Sequence, residues 1–135
     1  MMVRPFLTDE QIEVLRLRMR GLSQKEIAEI LKTTRANVCI IEKRARRNIE
    51  RALKTIEIWK KINSRAEIEI PSGTDLMDIP QIIFEKANES DVKVKYSFLE
   101  LIEHIKKSVP EKIEKRVLRE PLHVYISEGG EVLFD

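Results

Sequence analysis

The chain of 135 residues contains few of the residue types that staple a fold or build an active site. Its one cysteine excludes an internal disulfide framework and is typical of a protein from the reducing cytoplasm. The only histidines, His104 and His123, have no cysteine near them, so zinc lacks a ligand set. No apolar run approaches about 18 residues and no signal peptide is evident, so we expect a cytoplasmic protein without a membrane partner.

Catalytic patterns are also missing. The segment Ser72-Gly73-Thr74 is too short for a phosphate-binding loop. The carboxylates of the second half show no spacing that demands acid–base chemistry; they include Asp75, Asp78, Glu85 and Asp91. We therefore predict no catalytic residues, no metal and no cofactor, and we expect that the protein is not an enzyme.

The charge, in contrast, is distributed unevenly. Residues 1–62 contain 15 Lys and Arg against 8 Asp and Glu, a balance of +7, whereas residues 63–135 contain 10 against 15, a balance of −5. A basic half followed by an acidic half predicts a phosphate-binding module joined to a part that avoids phosphate. The alternative is two solvated surfaces whose signs differ by accident.

The first half has the pattern of a helix-turn-helix. A capping box at Thr8 and Gln11 predicts a first helix that ends at Gly21 and has a repeating apolar face of Ile12, Leu15 and Met19. A second capping box, Ser23 with Glu26, predicts a short helix whose inward residues are Ile27, Ala28, Ile30 and Leu31. Lys32-Thr33-Thr34 then forms the turn, and Thr34 is a suitable N-cap for a third helix.

The third helix is predicted to be long, because neither glycine nor proline occurs from Arg35 to Asn63. Its helical period predicts an inward face of Val38, Ile41, Ala45, Ile49, Ala52 and Ile56. The opposite face contains the cations Lys43 and Arg47 together with the apolar residues Ala36 and Ile40. It is flanked by Arg44 and Arg51.

Side chains at the start of this helix are candidates for base contacts. Arg35 is placed either to bind guanine or phosphate or to remain solvated. Asn37 either pairs with adenine or lies on the helix surface, and Ile40 either contacts a thymine methyl or is a scattered surface residue.

Other polar side chains are candidates for contacts with the DNA backbone. Lys43, Arg44 and Arg47 are predicted to bind phosphates, which adds affinity without sequence information. A smaller set at helix N-termini and caps is placed to reach the backbone: Lys25, Thr33 and Thr34. Arg46 lies closer to the inward edge, where Glu42 or Glu50 is available as an ion-pair partner.

These motifs resemble those of known DNA-binding families. The stretch from Thr34 to Arg46 resembles the recognition helix of the fourth region of bacterial sigma factors, and Leu22–Ala28 is similar to the helix-turn-helix of LuxR-type response regulators. The whole chain, with Leu7-Thr8 at its front and an α/β tail, resembles the archaeal Tfx family of DNA-binding transcriptional regulators. The sigma resemblance implies that Arg35 contacts base edges. Because Ala36, Cys39 and Ile40 stand where sigma factors have polar side chains, no sigma-type promoter element is implied.

The remainder of the third helix has a short heptad seam. Ala45, Ala52 and Trp59 are spaced by seven, with Ile49 and Ile56 between them. The seam predicts either pairing of two subunits into a homodimer or packing against the tail. A homodimer is attractive because two helix-turn-helix units contact two half-sites about one DNA turn apart.

The second half is predicted to be a small α+β domain. Alternation predicts strands at 66–70, 92–96, 122–126 and 132–134, the last two joined as a hairpin. Helices are predicted through Ile82–Ala87 and after Ser97. We expect an α+β protein with an all-α helix-turn-helix domain and an extended third helix at 1–62, followed by a domain at 63–135 for dimerisation, sensing or protein contact.

Two functions follow from these patterns. The first is a sequence-specific regulator of transcription that contacts the major groove of double-stranded DNA with the helix beginning near Arg35. The alternative is a protein-interaction module that docks on the transcription machinery with little DNA specificity.

Overall fold

The computed structural model describes residues 2–135, which divide into two compact units. The first unit ends at Ile56 and the second is Glu57–Asp135. The predicted class is confirmed: helices with a long third member come first, and an α+β part follows. The assignment of functions to 1–62 and 63–135 stays a prediction.

Three helices build the first unit. They are α1 (Asp9–Met19), α2 (Gln24–Leu31) and α3 (Arg35–Ile62), and α3 continues beyond the unit. Both predicted capping boxes are present, so the first free backbone N–H groups of α1 and α2 have side-chain acceptors. The 28-residue α3 agrees with the absence of helix breakers in its sequence.

The turn between α2 and α3 contains only three residues. Lys32 has a left-handed backbone with φ of 55°, and the N–H of Thr33 donates to the carbonyl of Ala28 at 2.9 Å. The hydroxyl of Thr34 accepts from the N–H of Asn37 at 3.1 Å, which is the predicted N-cap. The start of α3 is thus fixed by hydrogen bonds on both sides of the turn.

The core of the first unit is formed by all three helices. Its buried members are Val14, Leu17, Ile27, Ala28, Val38 and Ile41. The repeating apolar face of Ile12, Leu15 and Met19 is not part of this core, because α1 has two apolar faces and the one containing Val14 and Leu17 packs against α2 and α3. Ile30 is also exposed, since the inward side of the short α2 is centred on Ile27, Ala28 and Leu31.

A buried carboxylate connects all three helices of this unit. Glu42 on α3 accepts from the Arg18 Nε of α1 at 3.0 Å and from the Gln24 Nε2 of α2 at 3.0 Å. Arg46, one turn further along α3, donates to the same carboxylate at 2.7 and 2.9 Å. Burial alone would raise the pKa of Glu42, but the hydrogen bonds from Gln24, Arg46 and Arg18 hold that pKa below its usual range. We call these four side chains the Glu42 cluster.

The second unit contains a three-stranded antiparallel sheet. Its strands are β1 (Ala66–Ile70), β4 (Leu122–Ile126) and β5 (Val132–Phe134), in the order β1-β4-β5. In the register, Ala66 lies opposite Ile126, and Val124 lies opposite Phe134. The predicted strands at these positions and the hairpin between β4 and β5 are confirmed.

Two helices cover one face of this sheet. They are α4 (Ile79–Glu89) and α5 (Phe98–Ser108). A short hairpin follows, in which β2 (Ile113–Glu114) and β3 (Val117–Leu118) have two residues each. The helix α5 begins after Ser97 as predicted, and Ser97 forms a capping box with Glu100. The core between helices and sheet is aliphatic apart from one ring, and includes Ile70, Ile79, Ile83, Leu101, Ile105, Val124 and Phe134.

The predicted strand at Val92–Tyr96 is wrong, because this segment is an irregular connection. The N–H of Lys95 donates to the carbonyl of Gly130 at 2.9 Å, so the segment contacts the β4–β5 turn. A Cβ at Gly130 would lie 2.0 Å from the carbonyl oxygen of Lys93, and Gly130 has a φ of +86°. The alternating apolar residues are used for packing against the sheet core without a strand partner.

The end of α3 is bonded to the sheet within the second unit. Lys60 donates to Glu131 at 2.6 Å, and Lys61 pairs with Asp135. The Lys61 ammonium also lies 5.6 Å from the centre of the Tyr125 ring. The hydrogen bond from Lys61 holds the pKa of Asp135 below its usual range. The last turn of α3 is therefore held against the sheet by contacts of Lys60 and Lys61.

The Glu42 cluster generates a testable prediction for stability. Replacing Glu42 with Gln should lower the free energy of unfolding by about 1–2 kcal/mol at neutral pH, because the charge-assisted hydrogen bonds from two partly exposed guanidinium groups are weakened. Since the pKa of folded Glu42 lies below its ordinary 4.5, the contribution is complete above that pH and disappears as the pH falls through the folded-state value.

Urea unfolding followed by far-ultraviolet circular dichroism at neutral and acidic pH measures this difference. The matched control is Glu50→Gln, an exposed glutamate of the same helix, which should change stability by less than about 0.5 kcal/mol. Equal effects of the two substitutions at neutral pH, or a Glu42→Gln effect that persists in acid, would contradict the electrostatic account.

Candidate nucleic-acid interface

The candidate interface begins at the N-terminus of α3. Thr34, Arg35, Ala36 and Asn37 are exposed, and Thr33 is half-buried in the turn. The first N–H groups of a helix have no partner within the helix, and they add to a partial positive charge there. Apart from the N–H capped by Thr34, this end of α3 offers donors to an anion.

Asn37 is oriented by the turn that precedes it. Its Nδ2 donates to the Thr33 hydroxyl at 2.9 Å, across one helical turn. An amide has two N–H donors and a carbonyl acceptor, so one donor and the acceptor of Asn37 are left for another partner. A donor and an acceptor side by side are what adenine requires for a bidentate contact in the major groove.

The outward face of α3 is basic and uncompensated. Within residues 2–135, none of Lys43, Arg44 and Arg47 makes an ion pair or a side-chain hydrogen bond, and all three are exposed. They share this side of the helix with the exposed Ala36 and Ile40, as the helical period predicts. We call these five residues the basic face of α3.

Not every candidate lies on that face. Arg35 follows the N-cap and lies about 100° around the helix from Ala36, so its long side chain extends from the helix end. Lys25 is exposed in the first turn of α2. Lys25, Thr33, Thr34 and Arg35 belong to the same unit as the basic face but are not part of that face.

Arg46 is not part of the candidate interface, because it is paired with Glu42. Of the two partners considered for it, the structure selects Glu42, at 2.7 Å. This pairing was visible from the i,i+4 spacing. The contributions of Arg18 and Gln24 were missed, because their contacts with Glu42 join residues 24 and 18 positions apart in the chain. The only sequence signal was a glutamate on the inward side of α3.

The later turns of α3 have an exposed apolar surface, on the side of the helix opposite the basic face. Ile49, Leu53 and Ile56 are 37%, 62% and 49% exposed, although the helical period places them on the side of the buried Val38 and Ala45. The prediction of an inward face therefore holds only to Ala45, because α1 and α2 do not cover the later turns. We call Ile49, Leu53 and Ile56 the α3 stripe. Trp59, further along the helix, is exposed as well.

The two histidines have local partners in the second unit. The His104 ring is hydrogen-bonded through Nε2 to the carbonyl of Val132 at 2.6 Å and through Nδ1 to the Ser108 hydroxyl at 3.2 Å. The Nε2 of His123 lies 3.5 Å from a carboxylate oxygen of Glu67.

Across the part of the chain that the structure describes, no helix is sufficiently long and apolar to cross a membrane.

Comparisons with known proteins cover nearly the entire chain. The family model described as the C-terminal part of the DNA-binding protein TFX matches residues 52–134. The model of sigma-70 region 4 matches residues 6–51, which contain α1, α2 and the basic face of α3.

Three relatives align with this chain over most of their own length. A protein of Methanocaldococcus jannaschii whose name proposes a transcriptional regulatory role is 52% identical, over 94% of this chain and 93% of its own. A similarly named protein of Pyrococcus horikoshii is 44% identical over 92% and 85%. The DNA-binding protein Tfx of Methanothermobacter thermautotrophicus is 34% identical over 98% of this chain and 96% of its own.

Proposed function

This chain belongs to the Tfx family of DNA-binding transcriptional regulators, and we propose that it binds specific sequences of double-stranded DNA with α3 in the major groove. The observation that carries the proposal is the basic face of α3, whose cations have no ion-pair partner among residues 2–135. Three unpaired cations on one side of an exposed helix favour a polyanionic partner.

The dimensions of the helix support the same partner. An α-helix with its side chains is about 10–12 Å across, and the major groove is about 12 Å wide. Lys43, Arg44 and Arg47 are proposed to bind phosphates at the sides of the groove. Lys25, Thr33 and Thr34 are proposed to contact the backbone, where helix N-termini favour phosphate.

Sequence discrimination is assigned to four side chains of α3. Arg35 is proposed to contact guanine through its guanidinium, and Asn37 to contact adenine with the amide groups that Thr33 leaves open. Ala36 and Ile40, exposed and apolar between the cations, fit the methyl group of thymine. These roles require the helix axis to lie along the groove, with Arg35 at the deeper end.

The α3 stripe supports a homodimer. A helix of a soluble monomer rarely exposes several large aliphatic residues on one side, and such surfaces mark interfaces. The positions 49, 53 and 56 follow the spacing of helix-pairing residues. We propose that two copies pair through this stripe and contact two half-sites of an inverted repeat.

A docking module for the transcription machinery is the second candidate. It differs from the first in two measurable respects. DNA would be bound with little preference for sequence, and the basic face would bind an acidic protein surface. We propose no catalytic step, and we propose that the protein acts in the cytoplasm.

Selection of bound duplexes from a random pool at near-physiological salt tests sequence reading. We expect a defined motif, present as an inverted repeat with half-sites about 10 bp apart. Replacing Arg35 with Ala should cost about 1–3 kcal/mol at one base pair and relax the preference there. Recovery of unenriched DNA would overturn the proposal and favour the docking module.

The salt dependence of affinity tests the phosphate contacts. Replacing Lys43 with Ala should weaken binding to all sequences and reduce the slope of log affinity against log salt by about 0.9 per lost contact. Glu50→Gln on the same helix is the control and should leave or slightly increase the affinity. A Lys43→Ala variant with an unchanged slope would remove Lys43 from the interface.

Sedimentation equilibrium tests the α3 stripe. Ile56→Glu should raise the dimer dissociation constant at least tenfold, or about 1.4 kcal/mol, because a charge would be buried between subunits. Ile58→Glu is the matched control: its side chain is 47% exposed, against 49% for Ile56, but lies on the opposite side of the helix. Equal dissociation of both variants, or a monomeric parent protein, would contradict pairing through the stripe.

A further inference from the structure

The first unit has a second apolar surface, on α1, which lies outside the hydrophobic core of that unit. A cleft of about 420 Å³ is lined there by Leu7, Ile12, Leu15, Arg16, Met19 and Arg20. Met19 is 85% exposed, and Ile12 and Leu15 are only half-buried. These three positions have the i, i+3, i+7 spacing of a helix face that packs against another helix.

The orientation of this cleft separates it from the candidate DNA interface. On α1, Ile12 and Met19 lie on the side opposite the buried Val14 and Leu17. On α3, the basic face is likewise opposite the buried residues that meet α1. The cleft and the basic face therefore both point away from the hydrophobic cluster that the three helices share, and they have no residue in common.

The charge around the cleft specifies the chemistry of its partner. Arg16 and Arg20 form part of its lining, are exposed, and have no ion-pair partner among residues 2–135. Arg18, between them in sequence, is turned inward to the Glu42 cluster. An apolar floor with two free guanidinium groups at its edge complements a helix that has apolar residues on one face and carboxylates beside them.

We propose that the α1 cleft is a docking site for an acidic amphipathic helix of a partner protein. The apolar side of that helix lies on Ile12, Leu15 and Met19, and its carboxylates pair with Arg16 and Arg20. This function goes beyond DNA binding: it gives a protein that is held on DNA by one side a means of recruiting a second protein with the other.

Selection from a random library of helical peptides against the full-length protein tests the proposal. The Met19→Glu variant is used for counter-selection, because a charge in the cleft should abolish docking while an 85% exposed position tolerates the change. We expect enriched peptides with leucine-like residues at i, i+3 and i+7 flanked by Asp and Glu. Peptides without a consensus, or with a basic consensus, would overturn the proposal.

Fluorescence anisotropy with one enriched peptide then assigns the contacts. Met19→Glu and the double variant Arg16→Glu/Arg20→Glu should each weaken peptide binding at least tenfold. Met77→Glu, a methionine exposed in the second unit, is the control and should bind the peptide normally. If the double variant keeps peptide affinity but loses affinity for duplex DNA, the arginines are phosphate contacts and the docking site is wrong.

DNA affinity is measured on the same variants, so that the two proposals can fail independently. Met19→Glu should bind duplex DNA as the parent protein does, since Met19 lies on α1, outside the basic face. Loss of DNA binding in a folded Lys43→Ala variant that still binds the peptide would leave the docking site intact. A parent protein that binds DNA but no acidic peptide would leave DNA binding intact and remove the docking site.

Discussion

The first unit depends on a single carboxylate that has been removed from water. Glu42 is buried at the meeting point of three helices, and each helix supplies one of its donors, Arg18, Gln24 and Arg46. An isolated charge there would be strongly unfavourable, whereas hydrogen bonds from two cations and an amide make it tolerable. A small aliphatic core is compatible with several helix rotations, but this carboxylate is satisfied only when α1, α2 and α3 are all in place. It therefore fixes the direction in which α3 presents its outer side.

That constraint also explains the distribution of arginines. Arg18 and Arg46 form ion pairs with Glu42. Four other arginines are exposed and can bind a partner: Arg16, Arg20, Arg44 and Arg47. Sequence composition counts all six as equal contributions to a basic half. The fold divides them into a pair bound to Glu42, a pair beside the α1 cleft and a pair on the basic face, so the local charge presented to a partner differs from the net charge of the segment.

Local signals were sufficient to predict much of the fold. The capping boxes at Thr8 and Ser23, the helix that begins after Ser97 and the strand at Ala66–Ile70 depend on neighbours within a few residues, and each was found as predicted. The errors arose where long-range packing decides. Val92–Tyr96 alternates like a strand but has no strand beside it, and α1 offers two apolar faces between which its own sequence cannot choose. For the candidate site, the helical period located the basic face, but the partners that orient α3 lie 18 and 24 residues away in sequence.

The connection between α2 and α3 has a consequence for how such a chain can change over time. Lys32, Thr33 and Thr34 form the entire connection, and each of them has a fixed backbone conformation or a hydrogen bond. One inserted residue would have to be looped out, or it would rotate the following helix by about 100° about its axis. In the rotated arrangement a cation would point at the aliphatic core and a valine at the solvent. Lineages descended from this chain can therefore exchange the side chains that meet a partner, whereas a longer turn redirects those side chains unless the extra residue is looped out.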